Sequence, residues 1–305
     1  MVEKAVNNKI DKRLQGVFCP LTTPFDDDGK LNTDKLLKNM VRYAASPVNG
    51  YLILGSNGEN KSLRTQEKIR VVKAAIEGKR NDQAAMVASI FESTEETIEF
   101  AQTAEELGAD YITLLPPSYF KKAMTEEVLI RYFTDVASAV HTPCLLYHAP
   151  QFSGGVTFSS RVVEECAKHP NIAGMKDSSG DMQKHLLNDY GSGFAMMSGS
   201  ANTFMEALLL GASGGVISLA DCVPEAVSDL YRLITDGKYD EAVQMNRRLL
   251  AANREISGKY GVAGVKAAMD ICGLAGGIPR LPLIPLKEQE REGLRGVIGG
   301  LVQNR

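Results

Sequence analysis

Two side chains sit where chemistry can be done: Lys176, which ends an apolar run starting at Ile172, and Tyr147, which ends Cys144-Leu-Leu-Tyr147. A lysine that closes a buried strand is partly stripped of water, and desolvation disfavours its ammonium form. From an ordinary pKa of about 10.4, only about one lysine in a thousand is neutral at pH 7, a handicap of roughly 4 to 5 kcal/mol. Burial must reduce that handicap before the amine attacks a carbonyl quickly. The plainer alternative is a lysine that snorkels to solvent or pairs with Asp177, and position alone leaves both open. Tyr147 offers a phenol that can pass protons between a carbonyl oxygen, a carbinolamine and a leaving hydroxyl. It suits the place of an ordinary half-buried tyrosine equally well.

Other patterns bound the chemistry. Gly55-Ser-Asn-Gly-Glu59 sets two glycines around a hydroxyl and an amide, which suits backbone N–H groups turned toward a carboxylate, and suits a simple turn as well. Gly214-Gly215 would fit a phosphate cradle, but no basic residue accompanies it. The histidines His141, His148, His169 and His185 fall in no paired ligand spacing, so no metal and no other cofactor is expected. Gly211-Ala-Ser-Gly-Gly215 spells GxSxG but leads from a helix stop into an apolar run, the reverse of a strand-to-helix nucleophile elbow, which argues against a Ser-His-Asp hydrolase. Cys19, Cys144, Cys166, Cys222 and Cys272 are scattered and include no CxxC pair, so a disulfide framework is not expected and a reducing compartment fits.

The elements that would position these residues are legible as repetition. Eight short apolar runs, at residues 16–23, 50–55, 84–90, 111–115, 144–147, 172–176, 194–198 and 215–218, are each followed by a stretch with helical periodicity. The runs are continuous rather than alternating, as strands covered on both faces should be. Leu37, Met40, Val41 and Ala44 form one predicted helical stripe, and Leu129, Tyr132, Phe133, Val136 and Val140 another. Ser93-Thr-Glu-Glu96 predicts a helix start, and Gly108 and Gly211 fall where helices should stop. Eight consecutive strand–helix units in roughly 220 residues predict an α/β fold, a closed (β/α)8 TIM barrel with its active site at the strand C-termini. Beyond residue 236 the strand signal vanishes, and 239–256, 262–272 and 286–302 read as helices. The predicted organisation is a barrel over 1–236 and a helical C-terminal extension over 237–305, packed on the barrel.

At 305 residues, 44% hydrophobic and 23% charged, with a formal net charge of −3, the chain has no basic stripe for nucleic acid or anionic lipid. Residues 1–15 lack the apolar core of a signal peptide, and no stretch reaches the roughly 20 apolar residues of a membrane span, so a cytoplasmic location is expected.

Five motifs, all in order and each at a predicted strand end, then carry a resemblance. They are Pro20-Leu-Thr-Thr-Pro-Phe25, Gly55-Ser-Asn-Gly-Glu59, Tyr147-His-Ala-Pro150, Gly174-Met-Lys-Asp-Ser-Ser-Gly180 and Gly211-Ala-Ser-Gly-Gly-Val-Ile-Ser218. Nearly the whole chain resembles the dihydrodipicolinate synthase and N-acetylneuraminate lyase superfamily of pyruvate-dependent aldolases. The resemblance implies a Schiff-base lysine at Lys176 and a proton-relaying tyrosine at Tyr147. It also implies that Ser56 and Asn57 hold the pyruvate carboxylate, and that Gly199 and Ile217 direct backbone carbonyls into the site. Tyr119 falls where the family lends a tyrosine across a subunit interface, usually in a homotetramer.

Departures narrow the activity. Dihydrodipicolinate synthases usually carry an arginine two residues beyond this proline, whereas Gln151-Phe152 follow Pro150 here, so a charged semialdehyde loses its bidentate anchor. The Ser-Asn pair is more similar to 4-hydroxy-2-oxoglutarate aldolase and 2-keto-3-deoxy sugar acid aldolases. The expectation is therefore an aldehyde-lyase that releases pyruvate, or a glyoxylate-type partner, and an aldehyde from a small keto acid. Synthase-type condensation is the first alternative, and a non-catalytic barrel that binds a keto acid is the second.

Overall fold

In a computed structural model, which describes residues 10–302, eight parallel strands close into a barrel in chain order, with the eighth paired to the first. They are β1 (Gly16–Cys19), β2 (Gly50–Ile53), β3 (Ala84–Ser89), β4 (Tyr111–Leu114), β5 (Cys144–His148), β6 (Ile172–Asp177), β7 (Ala195–Ser198) and β8 (Gly214–Val216). Helices α1 (Thr33–Ala44), α2 (Thr65–Gly78), α3 (Thr94–Glu106), α4 (Glu126–Ser138), α5 (Ser160–Ala167), α6 (Gln183–Leu186), α7 (Ala201–Leu209) and α8 (Pro224–Thr235) alternate with them. Residues 1–9, most of the stretch read above as lacking a leader, and 303–305 lie outside the described residues. No helix among the described residues is long and apolar enough to cross a membrane.

The predicted units are found, with shifts that have physical causes. β1 stops at Cys19 because Pro20 has no N–H to give the ladder. β8 starts one residue early, at Gly214, where a Cβ would lie 2.1 Å from the Gly16 carbonyl oxygen; the glycine pair therefore serves strand approach, not a phosphate. Ser93 caps α3 by accepting from the Glu96 N–H, and α3 ends before Gly108 (φ +93°), whose successor Ala109 donates back to the Ala104 carbonyl. The stripe predicted for α4 is buried as expected.

The stripe predicted for α1 is not. Val41 is exposed, and the buried face comprises Leu36, Asn39, Met40 and Tyr43. Polar anchors rotate the helix: Asn39 exchanges two hydrogen bonds with the Ala275 backbone, and the Tyr43 hydroxyl donates to the Asp221 carbonyl at 2.6 Å. A hydrophobicity pattern is blind to a buried amide satisfied from 236 residues away.

The C-terminal helices are α9 (Tyr239–Asn253), α10 (Lys259–Ile271) and α11 (Glu288–Val302). The break predicted after 256 is a π-helical turn, Arg254–Gly258, followed by a kink at Gly261 (φ 56°, ψ −140°). These helices are bound to the barrel by a buried ion pair, Lys266 on α10 with Glu59 after β2, at 2.5 Å. Lys266 also donates to the Ile278 carbonyl and covers the Phe25 ring, while the Arg280 N–H donates to the other Glu59 oxygen. The Arg280 guanidinium forks onto Glu67 at 2.7 and 2.8 Å.

Candidate active site

The register of β5 on β6 builds the site. Tyr147 lies beside Lys176, and His148 beside Asp177. Because side chains alternate along a strand, one pair enters the barrel mouth and the other faces the surrounding helices. Lys176 is 5% exposed, and its Nζ stands 3.9 Å from the centre of the Tyr147 ring. It does not pair with Asp177, whose oxygens are taken by His148 and Ser179, so the plainer role for this lysine fails on geometry. Burial against an aromatic face, with no carboxylate within 4 Å among the described residues, leaves the amine without a protein counter-ion.

The loop after β2 faces them. The Ser56 hydroxyl lies 3.1 Å from the Tyr147 hydroxyl, so Ser56 meets the phenol directly. Left-handed backbone at two non-glycine residues, Leu54 (φ 61°) and Glu59 (φ 53°), brackets the loop and folds it tightly. The N–H groups of Ser56 and Asn57 donate to no protein acceptor among the described residues, which leaves two adjacent donors for a carboxylate. The Asn57 side chain is already engaged, its Nδ2 donating to Asp221 Oδ2 at 2.9 Å. Sequence reasoning passed over Asp221, which lies in an unremarked stretch after β8.

Lys176, Tyr147, Ser56, Asn57 and Gly199 all line one cavity of about 500 Å³. Gly199 must be glycine, because a Cβ there would lie 1.8 Å from Ser178 Oγ and 2.9 Å from the Asp177 carbonyl. Ile217 is buried beside the cavity; its neighbours Val216 and Ser218 line it. Tyr119 lies apart from the lining, 81% exposed, its ring edge-on to Phe120. The far wall belongs to the C-terminal segment: Asn253, Ser257, Gly261 and Val262.

The sequence matches the Dihydrodipicolinate synthetase family over residues 13–299. The chain belongs to that family. It is 30% identical over 290 residues to the 4-hydroxy-tetrahydrodipicolinate synthase of Methanosphaerula palustris, covering 93% of this chain and 98% of that one. Among solved structures, it is similar to YagE, a prophage protein of the dihydrodipicolinic acid synthase family from E. coli, in complex with pyruvate. The TM-score is 0.87 at 26% identity, over 94% of this chain and 98% of that chain. The fold is shared with a catalytic-lysine mutant of a Ruminococcus gnavus sialic acid aldolase, with a TM-score of 0.89 at 22% identity over 96% and 98% of the two chains. Membership in the dihydrodipicolinate synthetase family places this barrel among lyases.

Behind the lysine, this family member carries a buried cluster that chain spacing did not show. His148, Asp177 and His185 bring ligand-type atoms within 4.8 Å of one another. Their hydrogen bonds explain the grouping. The Phe158 N–H donates to His148 Nε2 at 3.2 Å, so the ring proton resides on Nδ1, which donates to Asp177 Oδ2 at 3.0 Å. A metal on Nδ1 would force a proton onto Nε2, against the Phe158 N–H, so the arrangement fits a hydrogen-bonded brace and not a metal centre. Burial would raise the Asp177 pKa, but the bonds from His148 and Ser179 outweigh it and hold the carboxyl below its usual range; burial also pushes His185 below 6.5.

Both shifts make the unfolded chain the better proton binder, so stability from this cluster is full above pH 6.5 and falls as the pH drops, first through His185. The thermal midpoint of the wild type should decline between pH 7.5 and 5, and His185→Gln should flatten that part of the profile. Parallel profiles would show that His185 does not titrate with folding.

Proposed function

We propose that the chain is a class I, Schiff-base aldolase that cleaves a 4-hydroxy-2-oxo acid or 2-keto-3-deoxy sugar acid to pyruvate and an aldehyde. The observation that carries the direction and substrate class is the charge of the cavity wall. Among the described residues its cations are Lys176 and Lys61, Lys61 is held by Glu92 at 3.1 Å, and no arginine lines it. At the place where a semialdehyde carboxylate would need a fork stand Gln151, donating to the Ser178 carbonyl, and Phe152. The remaining polar lining, Ser200, Ser218, Asn253 and Ser257 among it, suits the hydroxyls of a neutral aldehyde.

In the proposed cycle, the Lys176 amine attacks the C2 ketone while Ser56 and Asn57 N–H groups receive the carboxylate. Tyr147 protonates the carbinolamine hydroxyl, which leaves as water, giving an iminium ion and a phenolate to which Ser56 donates. The phenolate takes the C4 hydroxyl proton, the C3–C4 bond breaks, and its electrons pass into the iminium as an enamine. The phenol then protonates C3. Water adds to the iminium, giving its proton to the Tyr147 phenolate, and collapse of the carbinolamine releases pyruvate and restores the amine. Pyruvate-bound relatives support the pyruvyl half of this cycle.

The second reading is the same imine chemistry run as a condensation, favoured by the synthase names of the curated relatives. Assay of pyruvate release from a panel of 2-keto-3-deoxy acids, against pyruvate consumption with aspartate semialdehyde, separates the two. We expect the cleavage kcat/KM to exceed the condensation value by at least about tenfold; the reverse ranking would sink the aldolase reading. A homotetramer in the cytoplasm belongs to the same proposal, with Tyr119 lent to a neighbouring site. Light scattering should return about four times the monomer mass, and Tyr119→Phe should slow turnover without unfolding. A fully active monomer would remove that role.

A further inference from the structure

Asp221 is fully buried on the turn after β8, one carboxyl oxygen accepting from the Asn57 side chain at 2.9 Å and the other without a partner. No cation lies within 4 Å of it among the described residues. An unpaired charge so placed would be expensive, and so would a lone buried acceptor. Burial accordingly pushes the Asp221 carboxyl well above its usual range, against the smaller pull of the Asn57 bond, which favours the uncharged acid. Neutrality suits the place, because a carboxylate directly behind Asn57 would repel a carboxylate bound in front of it.

We infer that Asp221 is a positioning residue for the substrate carboxylate: it holds the Asn57 side chain and thereby aims the Ser56 and Asn57 N–H groups into the cavity. The inference rests on the proposed role of that loop, and it adds a determinant outside the five motifs. The second anchor of the same turn is the Tyr43 hydroxyl on the Asp221 carbonyl, which fixes the backbone whatever the side chain at 221. Substitution there therefore removes the aim of Asn57 more than the turn itself.

The test is borohydride trapping of pyruvate on the full chain, read as the pyruvate concentration that half-saturates the adduct. Asp221→Ala, and Asp221→Leu as the variant that fills the space, should raise it about tenfold, with the saturated adduct yield near that of the wild type. Asp221→Asn, uncharged and still able to accept from Asn57, should stay within about twofold of the wild type. An unchanged half-saturation in both Ala and Leu variants, or an Asn variant as impaired as they are, overturns the inference while leaving the Schiff-base reading intact. A wild type that traps no pyruvate overturns both. A purely structural role would lower adduct yield and thermal midpoint without moving the half-saturating concentration.

Discussion

Lys176→Ala should leave no borohydride-stable pyruvate adduct and should cut turnover by about 10⁴-fold or more, because it removes the covalent route and not one contact within it. The two cavity amines make the experiment discriminating. Lys176 is buried over the Tyr147 ring, whereas Lys61 is half exposed and paired with Glu92. An ammonium held by a carboxylate is a poor nucleophile, so peptide mapping of the reduced adduct should place it on Lys176. A label on Lys61, or an adduct that survives in the alanine variant, would refute the assignment.

Lys266→Ala should lower stability by about 3 to 5 kcal/mol, since removing one partner of a buried ion pair strands the other. Glu59 is 5% exposed and would keep only the Arg280 N–H. At about 2 to 4 °C per kcal/mol, the thermal midpoint should fall by roughly 10 °C. Glu59 closes the loop that carries Ser56 and Asn57, so the folded variant should also bind pyruvate more weakly. A midpoint within about 2 °C of the wild type would show that water or relaxation replaces the pair.

The elements were legible because strands covered on both faces are continuous apolar runs, and Lys176 and Tyr147 were legible as the polar residues that end two of them. What periodicity could not show is which polar residues are buried. Asn39 and Lys266 sit on helices where a hydrophobic pattern reads a solvated face, yet their partners, Ala275 and Glu59, come from distant chain. His148 and His185 are separated by no ligand-like spacing, but β5 lies beside β6, and Asp177 on β6 brings both rings together. Asp221 left no trace, since an acid in a turn after a strand reads as solvent-facing; only the closed barrel shows the Asn57 amide pressed against it.

The cavity's far wall comes from the π-turn and the kinked start of α10, while the amine, phenol and N–H donors come from strand ends and the β2 loop. On the proposed aldolase reading, the bond-making groups thus lie wholly in the barrel, whereas part of the wall that meets the aldehyde is encoded in the C-terminal stretch. Recombining or randomising residues 253–262 should therefore redirect which sugar acid is accepted while the trapping of pyruvate stays unchanged.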